Sequence, residues 1–255
     1  MQSGFDIISG LKPAHTALFL DFDGTLADIV ENPDAAEIGA ETLGHLDTLH
    51  TALNGALAII TGRDLESVDR FTYPHTFPAS GIHGFAHRPS AHPAAIDYLD
   101  IQAEALDRVT ASLAGVVEAE PGLVLERKPA AVALHYRQRP ELAEECASAV
   151  ASAMAASGPD AASLKLLSGK CVYEIKGHAG DKGSAVSRFL QAFPFEGRTP
   201  VFIGDDVTDE AAFAVVNARG GISIKVGDGE TAACYRLADP TEVRTWLALL
   251  VRHFV

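Results

Sequence analysis

Cysteine, aromatic and basic residues are all scarce in this chain of 255 residues. The three cysteines, Cys146, Cys171 and Cys234, are odd in number, far apart and without metal-ligand spacing. They exclude a disulfide scaffold and a zinc site, and read as reduced thiols of a cytosolic protein. Lys and Arg number 20 against 34 Asp and Glu, a net charge of −14. Binding nucleic acid needs the opposite balance, so no nucleic-acid partner is expected. An anionic small molecule stays open, because a metal and a few basic side chains can make one positive pocket in an acidic protein. No apolar run approaches the ~20 residues that span a bilayer, so no membrane partner is expected. The start, MQSGFDIISGLKP, has no basic stretch followed by an apolar core, and the cytoplasm is the expected location. There is no repeat and no low-complexity linker.

What the chain does contain is a series of short apolar runs that stop abruptly in polar, glycine-containing loops. Ala17–Leu20 runs into DFDGTL, Ala56–Ile60 into TGRD, Val201–Ile203 into GDDVTDE and Ile222–Val226 into GDGE. Such runs suit parallel strands buried on both faces. Helical segments are predicted between them at Ala40–Leu53, Lys182–Phe193 and Asp209–Ala218. The alternation describes an open α/β sheet, whose ligands bind beyond the carboxyl ends of its strands.

The middle of the chain differs. Ala94–Leu113 reads as a long helix with Ile96, Leu99, Ala103 and Leu106 on one face. Strands are predicted at Leu123–Lys128 and Ala131–Arg137, a helix at Glu141–Ala156, then strands at Leu164–Leu167 and Cys171–Lys176 around Ser168-Gly169-Lys170. This helix–hairpin–helix–hairpin segment reads as an inserted α+β domain, giving a core over 1–92 and 178–255 and an insert over 93–177.

Two strand ends are crowded with acids. Asp21 and Asp23 are two apart and share a side of an extended chain, and Gly24 then permits a sharp turn with Thr25 beside it. Asp205, Asp206, Asp209 and Glu210 follow another strand. Carboxylates at that density repel unless they face water or bind a cation, and together the loops point to magnesium. Thr61 offers a hydroxyl and nearby backbone N–H groups, and Lys182 opens a helix after a glycine-rich loop. Taken alone, Thr61 reads as a turn residue and Lys182 as a solvated lysine. Taken together with the acids they form a phosphoryl site, which needs fixed donors and a cation.

In this combination the chain resembles the haloacid dehalogenase superfamily of phosphatases: DFDGT, a strand ending in Thr, a Lys opening a helix, and GDD followed by acids. More narrowly it is similar to the trehalose-6-phosphate phosphatase family over almost its full length. DFDGTLADI, TGR, GIHG (81–84), ERKPAAVALHYR (126–137), GKCVYEIK (169–176) and GDDVTDEAAF (204–213) carry that likeness. The resemblance implies a Rossmann-like parallel-sheet core with a smaller, mobile α+β cap, and a monomeric enzyme. It implies hydrolysis of trehalose 6-phosphate, a small-molecule sugar phosphate, as the final step of trehalose biosynthesis. Asp21 would be the nucleophile and Asp23 the general acid and base, and Thr61 and Lys182 would hold the phosphoryl group. Mg2+ would be held by Asp21, the Asp23 main-chain carbonyl and Asp205, with Asp206 and Asp209 outside its direct ligands. Substrate contacts would come from Gly62, Arg63, His83 and Gly84 on the core and from Glu126, Lys128, Arg137 and Glu174 on the cap.

The cap residues can also be read directly. Alternation puts Glu126 with Lys128, His135 with Arg137, and Glu174 with Lys176 on one sheet face. A solvated face carries the same pattern. So does a face that meets sugar hydroxyls, each of which donates and accepts. Two rival readings stay open: the same chemistry on another ester, such as sucrose 6-phosphate or a mannosyl phosphate, and a non-catalytic regulator on a phosphatase scaffold.

Overall fold

A computed structural model describes residues 2–30, 32–93, 95–98, 103–128, 131–158, 164–169, 171–177 and 180–255. The chain divides into two compact units, residues 1–98 with 180–255, and residues 99–179.

The first unit is built on a nine-stranded sheet in the order Gln2–Ser3, Tyr235–Leu237, Ile222–Val226, Thr199–Gly204, Thr16–Leu20, Leu57–Ile60, Ala79–Gly81, Ala86–Arg88, Asp97–Tyr98. The strands are parallel as far as Ala79–Gly81, and the last two pair antiparallel. Every residue of Thr16–Leu20 and Leu57–Ile60 is buried. A strand covered on both faces has no need of polar alternation, which explains the unbroken apolar runs. Helices at Ala40–Ala52, Leu65–Thr72, Lys182–Phe189, Glu210–Ala218 and Pro240–Phe254 belong to this unit. Asp64, Asp181 and Asp239 cap three of them, accepting from the N–H groups of Ser67, Ser184 and Glu242.

Thr199–Gly204, Thr16–Leu20 and Leu57–Ile60 are adjacent at the centre of the sheet. Neighbouring parallel strands run ~4.8 Å apart, so the loops leaving their carboxyl ends must crowd together at one edge. Those loops open with Asp205, Asp21 and Thr61.

The second unit carries helices Ala103–Ala119 and Ala143–Ala155 and a four-stranded antiparallel sheet ordered Val124–Lys128, Ala131–His135, Val172–Gly177, Leu164–Gly169. Its own core contains Leu106, Val109, Leu113, Val132, Leu134, Val150 and Ile175.

Three sequence expectations need correction here. Asp97–Tyr98 is a strand paired with Ala86–Arg88, not part of a helix, and the helix described in this region is Ala103–Ala119. Ile96 packs against the core of the first unit and Leu106 belongs to that of the second, so the shared apolar stripe was a coincidence of spacing. Of the expected helix, Ala94 and residues 99–102 lie outside the described residues. The helix from Lys182 ends at Phe189 rather than Phe193. Ser168 and Gly169 remain in the ladder, Gly169 opposite Val172, and Cys171 takes the positive φ of 58° at the turn. Lys170 lies outside the described residues. Among those residues the cysteines are free, and no helix is long and apolar enough to cross a membrane.

Candidate active site

Asp21 continues the central strand by one residue. Its N–H donates to the Ile203 carbonyl at 2.9 Å, so it is still held in the ladder when its side chain reaches the sheet edge. The chain then folds tightly, with the Phe22 carbonyl accepting from the N–H groups of Leu26 and Ala27 at 2.9 and 3.0 Å. Gly24 takes a φ of +73°, and a Cβ there would stand 2.1 Å from Oδ2 of Asp205. The first acidic loop therefore needs glycine twice over, for its backbone angle and for the space that the second acidic loop occupies.

Lys182 is the first residue of its helix and only 3% exposed. Its Nζ donates to Asp21 Oδ1 at 2.6 Å and to Asp209 Oδ1 at 2.7 Å. Gly183 lets this helix sit against the next, since a Cβ there would lie 2.5 Å from the Ala211 carbonyl oxygen. Asp209 is fully buried, and its other oxygen accepts from the Asp206 N–H at 2.9 Å. Gly204 makes room for it, because a Cβ there would lie 2.4 Å from Asp209 Cγ.

Oxygens of Asp21, Asp205 and Asp209 all lie within 4.8 Å of one another. Burial pushes the Asp21 carboxyl well above the usual carboxylate range, and Asp209 pushes the same way, against the pull of Lys182. Burial also raises Asp205, assisted by Asp209. Burial by itself would lower the Lys182 ammonium, but the Asp21 and Asp209 carboxylates outweigh it and the net shift is upward. Three crowded carboxylates outnumber the ammonium groups of Lys182 and Lys225 and leave an excess of negative charge, which a hard divalent cation with oxygen ligands would neutralise. The donor set thus fits a metal ion. Asp209 already has a protein donor on each oxygen, which leaves Asp21 and Asp205 as the side chains best able to ligate.

Thr61 is buried, its N–H donating to the Ser80 carbonyl at 2.9 Å and its hydroxyl oxygen accepting from the Arg63 N–H at 3.1 Å. Gly62 is needed because a Cβ would lie 2.6 Å from Cε1 of the His83 ring. His83 is exposed, with a φ of 52°, and its N–H donates to the Thr61 carbonyl at 3.1 Å. Gly84 comes next with a φ of 103°. Asp21, Asp23, Thr61, Gly62, Arg63, His83, Lys182, Asp205 and Asp206 line one cavity of about 390 Å³. Of the core site residues expected from sequence, Gly84 and Asp209 are not among its lining residues.

Two details were not anticipated. Arg63, expected to touch substrate, makes a two-pronged pair with Asp23: Nε to Oδ2 at 2.8 Å and Nη2 to Oδ1 at 2.6 Å. Lys225, only 6% exposed, donates to the Asp205 main-chain carbonyl. A lysine inside the buried parallel strand Ile222–Val226 was the available signal for it. For Arg63 no signal distinguished an acid partner from a substrate.

In the second unit, Glu126 and Glu174 flank Ala133 from either side, and Lys128 and Lys176 flank Ala131. Two rows of charge thus border the small residues Ala131 and Ala133. Lys128 Nζ lies 3.1 Å from Glu174 and 3.8 Å from Glu126, His135 pairs with Glu126 at 3.0 Å, and Lys176 with Glu174 at 3.3 Å. Arg137 departs from expectation: the strand ends at His135, and Arg137 is exposed in the turn beyond it. The turn is closed by the Arg139 N–H donating to the Tyr136 carbonyl at 3.0 Å, which takes residue 137 out of the ladder.

Comparison with known proteins agrees with this architecture. A trehalose-6-phosphate phosphatase of Escherichia coli K12 is 43% identical over 238 residues, covering 93% of this chain and 87% of its own. A probable trehalose-phosphate phosphatase of Sinorhizobium fredii is 41% identical, covering 88% and 83%. The solved trehalose-6-phosphate phosphatase of Aspergillus fumigatus shares the fold, with a TM-score of 0.71 at 23% identity over 99% of this chain and 100% of that one. The sequence profile described as trehalose-phosphatase matches residues 19–241. The chain belongs to the trehalose-phosphatase family, a family of phosphoric monoester hydrolases.

Proposed function

We propose that this protein hydrolyses trehalose 6-phosphate to trehalose and inorganic phosphate, the final step of trehalose biosynthesis, by a magnesium-dependent route through a phosphorylated Asp21. The observation that carries the reading is the meeting of Asp21, Thr61, Lys182 and Asp205 around one cavity. A nucleophile, a hydroxyl donor, an ammonium and a further carboxylate are the parts phosphoryl transfer requires.

An Asp21 oxygen attacks phosphorus as the bond from phosphorus to the sugar oxygen breaks. Asp23 gives its proton to that oxygen, and trehalose leaves. Water then attacks the phosphorus of the acyl phosphate and gives its proton to Asp23. The bond from phosphorus to Asp21 breaks, inorganic phosphate leaves, and both carboxyl groups are restored. Lys182 and Thr61 donate to the phosphoryl oxygens while charge redistributes. Mg2+ bound by Asp21, the Asp23 carbonyl and Asp205 would supply Lewis-acid stabilisation of the transferring group.

Sugar recognition falls to the second unit, as a specificity cap. Glu126, Lys128 and Glu174 offer donors and acceptors on one face, and a hydroxyl missing from a smaller ester would leave them unpaired. Arg137 is a further proposed sugar contact of the second unit, and His83 and Gly84 are proposed phosphate contacts of the first.

Phosphate release from trehalose 6-phosphate, glucose 6-phosphate and sucrose 6-phosphate, each with magnesium and with EDTA, tests the reading. Release that is magnesium-dependent and fastest from trehalose 6-phosphate is expected. A clear preference for either other ester would reject the substrate, and full activity in EDTA would reject the cation.

A further inference from the structure

The geometry points to Arg63 as a positioning residue for Asp23, the residue that aims the general acid, rather than a contact to the sugar phosphate. This inference rests on the functional reading above, since it concerns the proton that Asp23 delivers.

Arg63 is held by two rings, by Asp23 and through its backbone. Its side chain is 11% exposed although it comes from a loop. Its guanidinium carbon stands 5.0 Å from the Phe22 ring centre and 4.9 Å from that of Phe71, and these rings, whose centres are 5.5 Å apart, pack against it from one side. One edge is committed to both oxygens of Asp23. Its backbone is fixed as well: the N–H donates to Thr61 Oγ1, and the carbonyl accepts from the Ile82 N–H at 2.9 Å. Even the neighbouring Gly81 is constrained by it, because a Cβ there would lie 2.7 Å from the Arg63 carbonyl oxygen.

Asp23, by contrast, is 45% exposed in its side chain and sits on a tight turn. A short carboxylate in that setting can swing about two side-chain torsions. A bidentate guanidinium removes both freedoms, because two parallel N–H bonds define the plane and direction of the carboxyl group. Each carboxylate oxygen keeps a second lone-pair site, so the clamp leaves a site on each oxygen for the proton in transit. Phe22 lies between Asp21 and Asp23 in sequence, and Arg63 stacks on Phe22 while gripping Asp23. One side chain from the loop carrying Thr61 therefore sets the shape of the loop carrying the nucleophile and the acid. The Nε–Nη2 edge, the side of the fork that would grip an anion in two-pronged fashion, is already taken by Asp23.

The leaving group provides a test. A sugar alkoxide must be protonated as it departs, whereas p-nitrophenolate is stable without a proton. The variants are Arg63→Met, and Arg63→Lys, which keeps the charge and loses the fork. The readouts are kcat and KM for trehalose 6-phosphate, kcat/KM for p-nitrophenyl phosphate, and the inhibition constant of trehalose. In both variants kcat on the sugar phosphate should fall by roughly 10- to 100-fold, at or below the low end of a general acid's full contribution, because Asp23 itself remains. The aryl ester should lose less than about a tenth of that factor, and KM and the trehalose inhibition constant should move by less than about threefold. KM and the inhibition constant rising together with kcat kept would make Arg63 a sugar contact and overturn the proposal. Equal losses on both esters would make it merely structural and also overturn it. If the wild-type protein cleaves another alkyl phosphate but not trehalose 6-phosphate, only the substrate reading falls, and the comparison is made with that ester. A wild-type protein that cleaves the aryl ester and no alkyl ester overturns the present inference.

Discussion

The ammonium of Lys182 lies 2.6 Å from Oδ1 of Asp21, although 161 residues separate them in the chain. Both groups are almost fully buried, and Asp209 completes the triplet from behind. Removing the ammonium would leave two buried carboxylates without their counter-charge. Lys182→Met should therefore destabilise the fold by about 3–5 kcal/mol. Urea unfolding of the two proteins measures this, and a change under about 1 kcal/mol would mean that the pair is solvated in solution.

Asp21→Asn should behave in the opposite way on stability and eliminate turnover. The substitution removes a carboxyl that burial and Asp209 hold in an unfavourable state, while Lys182 keeps Asp209 as a partner. Activity on trehalose 6-phosphate is expected to drop by about 10⁴-fold or more, with the cation-free melting temperature unchanged or raised. Retained activity would remove Asp21 from the role of nucleophile.

The raised carboxyls also give a pH signature. Without a cation, Asp21 and Asp205 bind protons more readily in the folded protein than in the unfolded chain. Their contribution to stability is full in acid, below the ordinary carboxylate range, and is lost as pH rises through their elevated folded values. A divalent cation takes the place of those protons, so the stabilisation by magnesium should grow as pH rises. At a hundredfold excess of cation over its Kd the gain is about 2.7 kcal/mol. Melting temperatures in magnesium and in EDTA, at about pH 5 and about pH 8, bracket the change. A magnesium effect that is equal at both, or larger in acid, would contradict the assignment of these carboxyls to a cation.

On the second unit, Lys128 reaches Glu174 across the strand Ala131–His135 and lies 3.8 Å from Glu126 on its own strand. Lys128→Ala and Glu174→Ala should each lower kcat/KM for trehalose 6-phosphate by roughly 10- to 100-fold, since they leave sugar hydroxyls unpaired. The loss on p-nitrophenyl phosphate, which has no sugar to read, should be several-fold smaller. Equal losses on the two esters would place the charged rows outside sugar recognition.

Much of this was legible in the sequence because it obeys local rules. Unbroken apolar runs such as Ala17–Leu20 mark buried parallel strands, and the polar residues just past them, Asp21, Thr61 and Asp205, had to emerge at one sheet edge. Alternation along Val124–Lys128 and Val172–Gly177 placed Glu126, Lys128, Glu174 and Lys176 on one face. Where the reading failed, tertiary pairing had overridden local pattern. Ile96 and Leu106 match a helical stripe but pack in separate cores, because Asp97–Tyr98 is drawn into the edge of the larger sheet. Arg137 keeps strand spacing but lies in a turn. The pairing of Arg63 with Asp23 joins loops 40 residues apart, and no spacing rule could reveal it.

The account depends most on Asp21 becoming phosphorylated, and a rapid acid quench tests that directly. The protein is mixed with excess trehalose 6-phosphate and magnesium, stopped within one turnover and digested, and the peptide carrying Asp21 is weighed by mass spectrometry. A phosphate mass on Asp21 that forms and decays at the rate of product release, and is absent from Asp21→Asn, is the predicted result. Full phosphate release with no label on that peptide, or with the label on a different residue, would contradict the account.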